Sequence, residues 1–222
     1  MLDYRKWIER AVAFVNNLQT LSGEVGQELR VDPPMSSLDV KELSGRLRLG
    51  IPHPVSNFLM EGSANCVFNY WWSPPKKISF LVERIFHSRH SSLYGGACLC
   101  ASEDFEYNQT GCFDQSEALG ARESDCWINS FPILSINNGD YVGMYVKNNR
   151  TTSECPIIYL DHDDYGTGTI LSTSFDDFLL NWEDCCYIVP TWMSKFCDFA
   201  GGPLTERREL LKQLFRQART NM

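Results

Sequence analysis

Residues 131–182, FPILSINNGDYVGMYVKNNRTTSECPIIYLDHDDYGTGTILSTSFDDFLLNW, constrain the fold more than any other stretch. They read as three short strands followed by a capped helix. Residues 131–136 are an almost continuous apolar run, as in a strand buried on both faces. Asn137-Asn138-Gly139-Asp140 is turn chemistry, because Asn and Gly tolerate positive φ and Asp bonds neighbouring backbone. A second strand over 141–147 places Tyr141, Gly143 and Tyr145 on one face and Val142, Met144 and Val146 on the other. A third covers 156–162, and a glycine turn at Gly166 and Gly168 leads to a further extended piece at 169–171. Ser174 is placed to cap a helix whose first turn carries Asp176 and Asp177, favoured there by the helix dipole. Phe175, Phe178, Leu179 and Trp182 recur at helical spacing, so this helix lays one face on the sheet.

Before this stretch, residues 2–21 place Tyr4, Trp7, Ile8, Ala11, Phe14, Val15 and Leu18 at three- and four-residue steps, an amphipathic helix. Residues 22–36, with Gly23, Gly26, Pro33 and Pro34, read as a linker. A helix over 37–49 is expected to bury Leu38, Leu43 and Leu47, and Pro52 and Pro54 open a short helix stopped by Gly62. Residues 65–72 form an aromatic strand ended by Pro74-Pro75. Residues 78–86 favour a strand by composition and also permit a helix. Residues 97–101 form a compact strand that places Cys98 and Cys100 on one face. The acidic segment 102–130 offers only a short helix at 115–122. The helix of the opening stretch is expected to continue through 182–189, leaving Cys185 and Cys186 adjacent on it. A last helix spans 204–220, with Leu210, Leu211, Leu214 and Phe215 apolar. The fold class is α+β, a mostly antiparallel sheet packed by helices, with extra N- and C-terminal helices. These are expected to pack on each other, on the domain or on a second copy.

The order of these features resembles the SUKH superfamily, the fold shared by toxin-immunity proteins and fungal cell-wall-synthesis regulators. The residues that carry the resemblance are Phe131-Pro132-Ile133-Leu134, Asn138-Gly139-Asp140, the run from Pro156 to Asp163, and Ser174-Phe175-Asp176-Asp177-Phe178-Leu179. Upstream, the segment 50–59 resembles the family's proline-led helix ending in Phe-Leu. The resemblance spans about residues 37–190, which implies a SUKH-like domain there, an N-terminal helix and linker over 1–36, and a helical extension over 191–222. It implies a non-enzymatic, protein-binding role, either neutralising a cognate toxin or regulating and scaffolding other proteins. A fold hosts many functions, so the site is argued separately.

The chain has 222 residues and a formal charge of −8, unevenly spread. Residues 101–200 hold 17 Asp and Glu against four Lys and Arg, whereas 204–222 hold five basic residues against two acidic. Nucleic-acid binding by the main domain is not expected, because phosphates demand a basic surface. An acidic face attracts a basic protein, such as a nuclease-type toxin, although an acidic surface also serves plain solubility. The first residues are charged on both sides of their apolar positions, unlike a signal peptide, and no apolar run approaches the ~18 residues of a membrane span. The expected place is the cytoplasm, where the nine cysteines are mostly reduced thiols buried as small apolar groups.

Catalytic patterns are sparse. No Gly-x-Ser-x-Gly elbow, Cys-x-x-Cys pair or phosphate-binding glycine loop occurs, and neither cofactor nor catalytic residue is expected. Asp161-His162-Asp163-Asp164 is the best metal candidate, but strand alternation puts only Asp161 and Asp163 on one side, and a solvated, partner-facing acidic loop is the expected role. Surface chemistry remains. Tyr70 and Trp72 share a face of the aromatic strand while Trp71 points the other way. At least one of the three is therefore expected on a wet or partner-facing side unless helices bury both faces, and Tyr and Trp dominate interface hot spots. The expected partner-binding residues are Tyr70, Trp72, Glu103, Asp104, Glu106, Asp161, Asp163 and Asp164, on a monomer or homodimer.

Overall fold

A computed structural model describes residues 2–86, 92–136, 138–147, 155–163, 166–196 and 205–219. The chain opens with helix α1 (Tyr4–Asn17), capped by the Asp3 carboxylate, which accepts from the Lys6 N–H at 3.1 Å. Its periodic apolar residues Tyr4, Trp7, Ile8, Ala11 and Val15 are buried, as the pattern predicts. Strand β1 (Glu24–Val31) follows, then helices α2 (Ser37–Arg46) and α3 (His53–Glu61), and strand β2 (Cys66–Ser73). Helix α4 (Lys76–Phe86), short strands β3 (Leu93–Gly95) and β4 (Cys98–Leu99), and helices α5 (Phe105–Glu117) and α6 (Ala121–Ile128) lead into the second half. There β5 (Ser130–Ser135), β6 (Tyr141–Tyr145), β7 (Ile157–Leu160) and β8 (Ile170–Ser172) precede helices α7 (Phe175–Asp184), α8 (Pro190–Met193) and α9 (Thr205–Arg219).

The eight strands form one curled antiparallel sheet in the order β1-β2-β4-β5-β6-β7-β8, with β3 also paired to β2. The fold class is therefore α+β. The alternation expected in β6 holds. Val142, Met144 and Val146 enter the main core, while Tyr141 and Tyr145 turn to a second cluster of Cys112, Trp127, Ile158 and Leu160 under α5 and α6. α7 is capped as expected, with Ser174 Oγ accepting from the Asp177 N–H at 3.2 Å. α1 lies on α7: Trp7 Nε1 donates to the Leu179 carbonyl at 3.0 Å, and Trp7 stacks on Trp182 with centroids 6.3 Å apart. α9 joins the same core through Phe215, which stacks on Trp72 at 5.4 Å and meets Phe14 edge-on at 5.3 Å. Both terminal helices thus pack on the domain and on each other.

The structure corrects several expectations. The segment 22–36 is no linker: it holds β1, paired with β2 along eight positions from Glu24 with Ser73 to Val31 with Cys66. The sheet therefore runs across residue 36. Residues 76–86 are helical, because Ile78, Leu81, Val82, Ile85 and Phe86 are buried at helical spacing while Phe80 is exposed. Leu38 is also exposed; Val40 takes its place in the core beside Leu43 and Leu47. The acidic segment 102–130 forms two helices with other bounds than the expected one. The two thiols of Cys98-Leu99-Cys100 part, since Cys100 takes a φ of +49° and enters the core with Leu99.

α7 does not continue to residue 189. After Cys185 the backbone turns left-handed at Cys186 (φ 54°) and Tyr187 (φ 52°), a conformation costing a non-glycine residue about 1–2 kcal/mol. Hydrogen bonds hold it there. The Cys186 carbonyl accepts from Tyr70 OH at 2.7 Å, the Tyr187 carbonyl from the Gly96 N–H at 2.6 Å, and the Ile188 carbonyl from Trp182 Nε1 at 2.8 Å. Ile188 then bridges Gly95, and the Val189 N–H donates to the Tyr94 carbonyl at 3.1 Å. Residues 188–189 thereby lie against β3 through one isolated antiparallel bridge and one further hydrogen bond. Tyr70→Phe deletes one of these bonds without changing the ring. It should lower the free energy of unfolding by about 1–3 kcal/mol in urea titrations, the cost of leaving a buried carbonyl unpaired. A variant as stable as the parent would show that the reversal does not depend on this hydroxyl.

Candidate functional site

The face of β2 turned away from the main core carries Asn69 and Trp71, opposite Glu28 and Gly26 on β1 and, for Trp71, Tyr94 on β3. Gly26 lets the Trp71 indole lie across β1, since a Cβ there would stand 2.0 Å from Nε1. β2 changes partner from β3 to β4 around Gly96, whose φ of +79° and closeness to the Phe68 carbonyl admit only glycine. The strands part at this bend, and a groove of about 610 Å³ opens there. Trp71, Tyr94 and Trp192 stand at one part of its wall, Glu28 and Asn69 along it, and Cys98, Ser135 and Asn138 further on. Trp71 is 39% exposed and Tyr94 51%, while Trp192 is braced from behind by Phe86 at 4.3 Å. A volume of this size falls in the range of ligand pockets.

Two groove residues, Asn138 and Thr191, also touch a polar cluster beside it. At its centre is Asp140, only 2% exposed. Its carboxylate accepts from Tyr159 OH, from Asn138 Nδ2 at 2.6 Å, and from both the backbone N–H (3.1 Å) and ring Nδ1 (2.6 Å) of His162. Tyr159 OH also contacts Thr191 Oγ1 at 3.1 Å. Burial pushes the Asp140 carboxyl up, but these four donors together hold it below its ordinary value. The bond to Asp140 raises the His162 pKa in turn. Ligand atoms of Asp140, Asp161 and His162 lie within 4.8 Å of one another, a spacing a divalent ion accepts. Such an ion would have to displace the Asp140–His162 bond.

All but one of the expected site residues fall among the described residues. Tyr70 and Trp72 are buried, at 3% and 0% exposure, so they do not face a partner: Tyr70 ties down Cys186, and Trp72 Nε1 donates to the Ser22 carbonyl. Alternation correctly separates them from Trp71, but the face they share is the inner one. Glu103 pairs with Arg30 at 3.0 Å, and Glu106 with Arg46 at 3.1 Å. Asp104 precedes α5 without capping it. Residues 161–163 form a turn, where strand alternation does not apply. The Asp161 carboxylate accepts from the Asp163 N–H at 2.9 Å, and His162 turns inward to Asp140. Asp163 is exposed, with a carboxylate oxygen 3.3 Å from His162 Nε2. Asp164 lies outside the described residues. Tyr94, Trp192, Glu28 and Asp140 are not expected as site residues from the sequence; alternation does turn Trp71 away from Tyr70 and Trp72, and Trp71 is the one of the three that is exposed in the groove.

Burial pushes the Cys98 thiol up, and the nearby carboxylates of Glu28, Asp104 and Glu103 add to this against the opposing Arg30. No helix among the described residues is long and apolar enough to cross a membrane. No family model, curated protein or solved structure matches the chain.

The Asp140–His162 pair gives a pH signature. A raised His162 pKa means that its stabilisation is complete below the ordinary value of 6.5 and is lost as pH climbs through the folded value. The lowered Asp140 pKa adds stability above 3.8 that disappears only as pH falls through its folded value. Melting temperatures of the parent and His162→Gln, taken from about pH 5 to pH 9, should converge as histidine deprotonates. A difference constant with pH would show that the pair contributes no charge attraction.

Proposed function

We propose that this chain is a non-enzymatic protein-binding module of the SUKH immunity type, which neutralises a toxin by seating part of it in the groove between β1–β2–β3 and residues 188–192. The observation that carries this reading is the exposure of Trp71 and Tyr94 side by side in a 610 Å³ groove, since a solvent-facing Trp–Tyr pair in a cleft has the composition of an interface hot spot. The motifs at Phe131-Pro132-Ile133-Leu134, Asn138-Gly139-Asp140 and Ser174-Phe175 support the SUKH assignment. The groove's Cys98 is kept as a neutral thiol by burial and by neighbouring carboxylates, the opposite of an activated nucleophile. The acid-rich middle of the chain favours association with a basic partner.

The test begins with capture of the partner from the native host at low salt, followed by titration of the purified pair. Trp71→Ala and Tyr94→Ala should each weaken binding by about 2 kcal/mol, roughly 30-fold, with circular dichroism unchanged. Co-production of the chain should restore growth to cells making the partner. Unaltered affinity in both variants would remove the groove from the interface. Several harmless partners in place of one toxic one would favour a scaffolding role.

A further inference from the structure

We propose that the groove recognises a planar organic cation, the guanidinium of an arginine side chain on an extended segment of the partner. This deepens the binding reading above and rests on it. Three features of the groove converge on a positive, flat group. Glu28 is the one charged side chain among the described residues that line it. One of its oxygens accepts from Asn69 Nδ2 at 2.9 Å, a bond that orients the carboxylate and leaves the other oxygen without a partner among the described residues. The aromatic rings supply the second feature. Trp71 is held across Gly26, Trp192 is braced by Phe86, and Tyr94 meets Trp192 edge-to-face at 6.2 Å. These rings are therefore preorganised, and the negative face of an aromatic ring attracts a cation placed over it. The third is the surrounding field. Glu28, Asp104 and Glu103 all bear on the groove's Cys98, opposed by Arg30, which is itself paired to Asp32 and Glu103.

The choice of guanidinium over ammonium follows from shape and hydration. A guanidinium is flat, stacks on indole and phenol faces, sheds water more readily than an ammonium, and bonds a carboxylate while stacked. A neutral apolar side chain would use the rings alone and gain nothing from the solvent-exposed Glu28 carboxylate.

The test uses the full chain and defined peptides. Acetyl-Gly-Arg-Gly-amide is titrated into labelled protein at low salt while the indole N–H resonances of the six tryptophans are followed by NMR. Acetyl-Gly-citrulline-Gly-amide supplies the same shape without charge, and tetramethylammonium supplies charge without the plane. The arginine peptide should shift the Trp71 and Trp192 signals, assigned through Trp71→Phe and Trp192→Phe, and bind about tenfold tighter than the citrulline peptide. Glu28→Gln should erase that margin while leaving the spectrum otherwise folded. Equal binding of the two peptides, a margin unchanged in Glu28→Gln, tighter binding of tetramethylammonium, or no shift with any of them would each overturn the proposal. The binding reading fails separately. A captured partner that loses affinity with Trp71→Ala but not with Glu28→Gln would keep the groove as the interface and remove the cation from it.

Discussion

The structure depends on a left-handed reversal at Cys186 and Tyr187. Two consecutive non-glycine residues at positive φ are unfavourable in isolation, yet three successive carbonyls there are all claimed, by Tyr70 OH, the Gly96 N–H and Trp182 Nε1. Those donors come from β2, from the bend between β3 and β4, and from α7. The reversal therefore locks helix to sheet at the point where the sheet changes partner, and the backbone strain is offset by bonds that would otherwise be missing. Tyr187 then fills the centre of the aromatic core, edge-on to Trp7, Phe68 and Trp182.

The outer face of the sheet is covered unevenly. On the β6–β8 side, α5 and α6 close the outer face over Trp127, Ile158 and Leu160. On the β1–β3 side, the chain leaving the reversal runs alongside β3 as residues 188–189 and lifts into α8, which brings Trp192 to the edge of the opening without covering it. One half of the outer face is thus core and the other is groove. The buried Asp140 sits at the seam, bonded to Asn138 and linked through Tyr159 to Thr191, both of which line the groove.

Local periodicity made most of the second half legible. The Ser174 cap, the Phe175–Trp182 face, the alternation in β6 and the turn at Asn138-Gly139-Asp140 all depend on residues near one another in sequence. The failures are tertiary. β1 reads as a linker because Gly23 and Gly26 look like breaks, whereas Gly26 is small in order to admit Trp71 from another strand. Residues 182–189 look helical because nothing local announces that their carbonyls will be claimed by Tyr70 and Gly96. Composition could also not rank the aromatics of β2. Alternation separates Tyr70 and Trp72 from Trp71, but which set faces the core is decided by α1, α7 and α9, whose positions no local pattern encodes. Asp140 was legible as a turn residue and not as the acceptor of bonds from Tyr159 and His162, because those partners arrive on β7 and the turn beyond it.

The groove is assembled from separate chain segments: β1, β2, the stretch from β3 to β4, the end of β5 with the turn after it, and residues 189–192. No one of them forms it alone. Whatever occupies the groove binds the folded chain and ignores the unfolded one, so occupancy adds its own binding free energy to the stability of the fold. Without the proposed partner the chain would then be less stable and exposed more often to proteolysis. Coupled in this way, the abundance of the chain would follow that of its partner with no dedicated regulator.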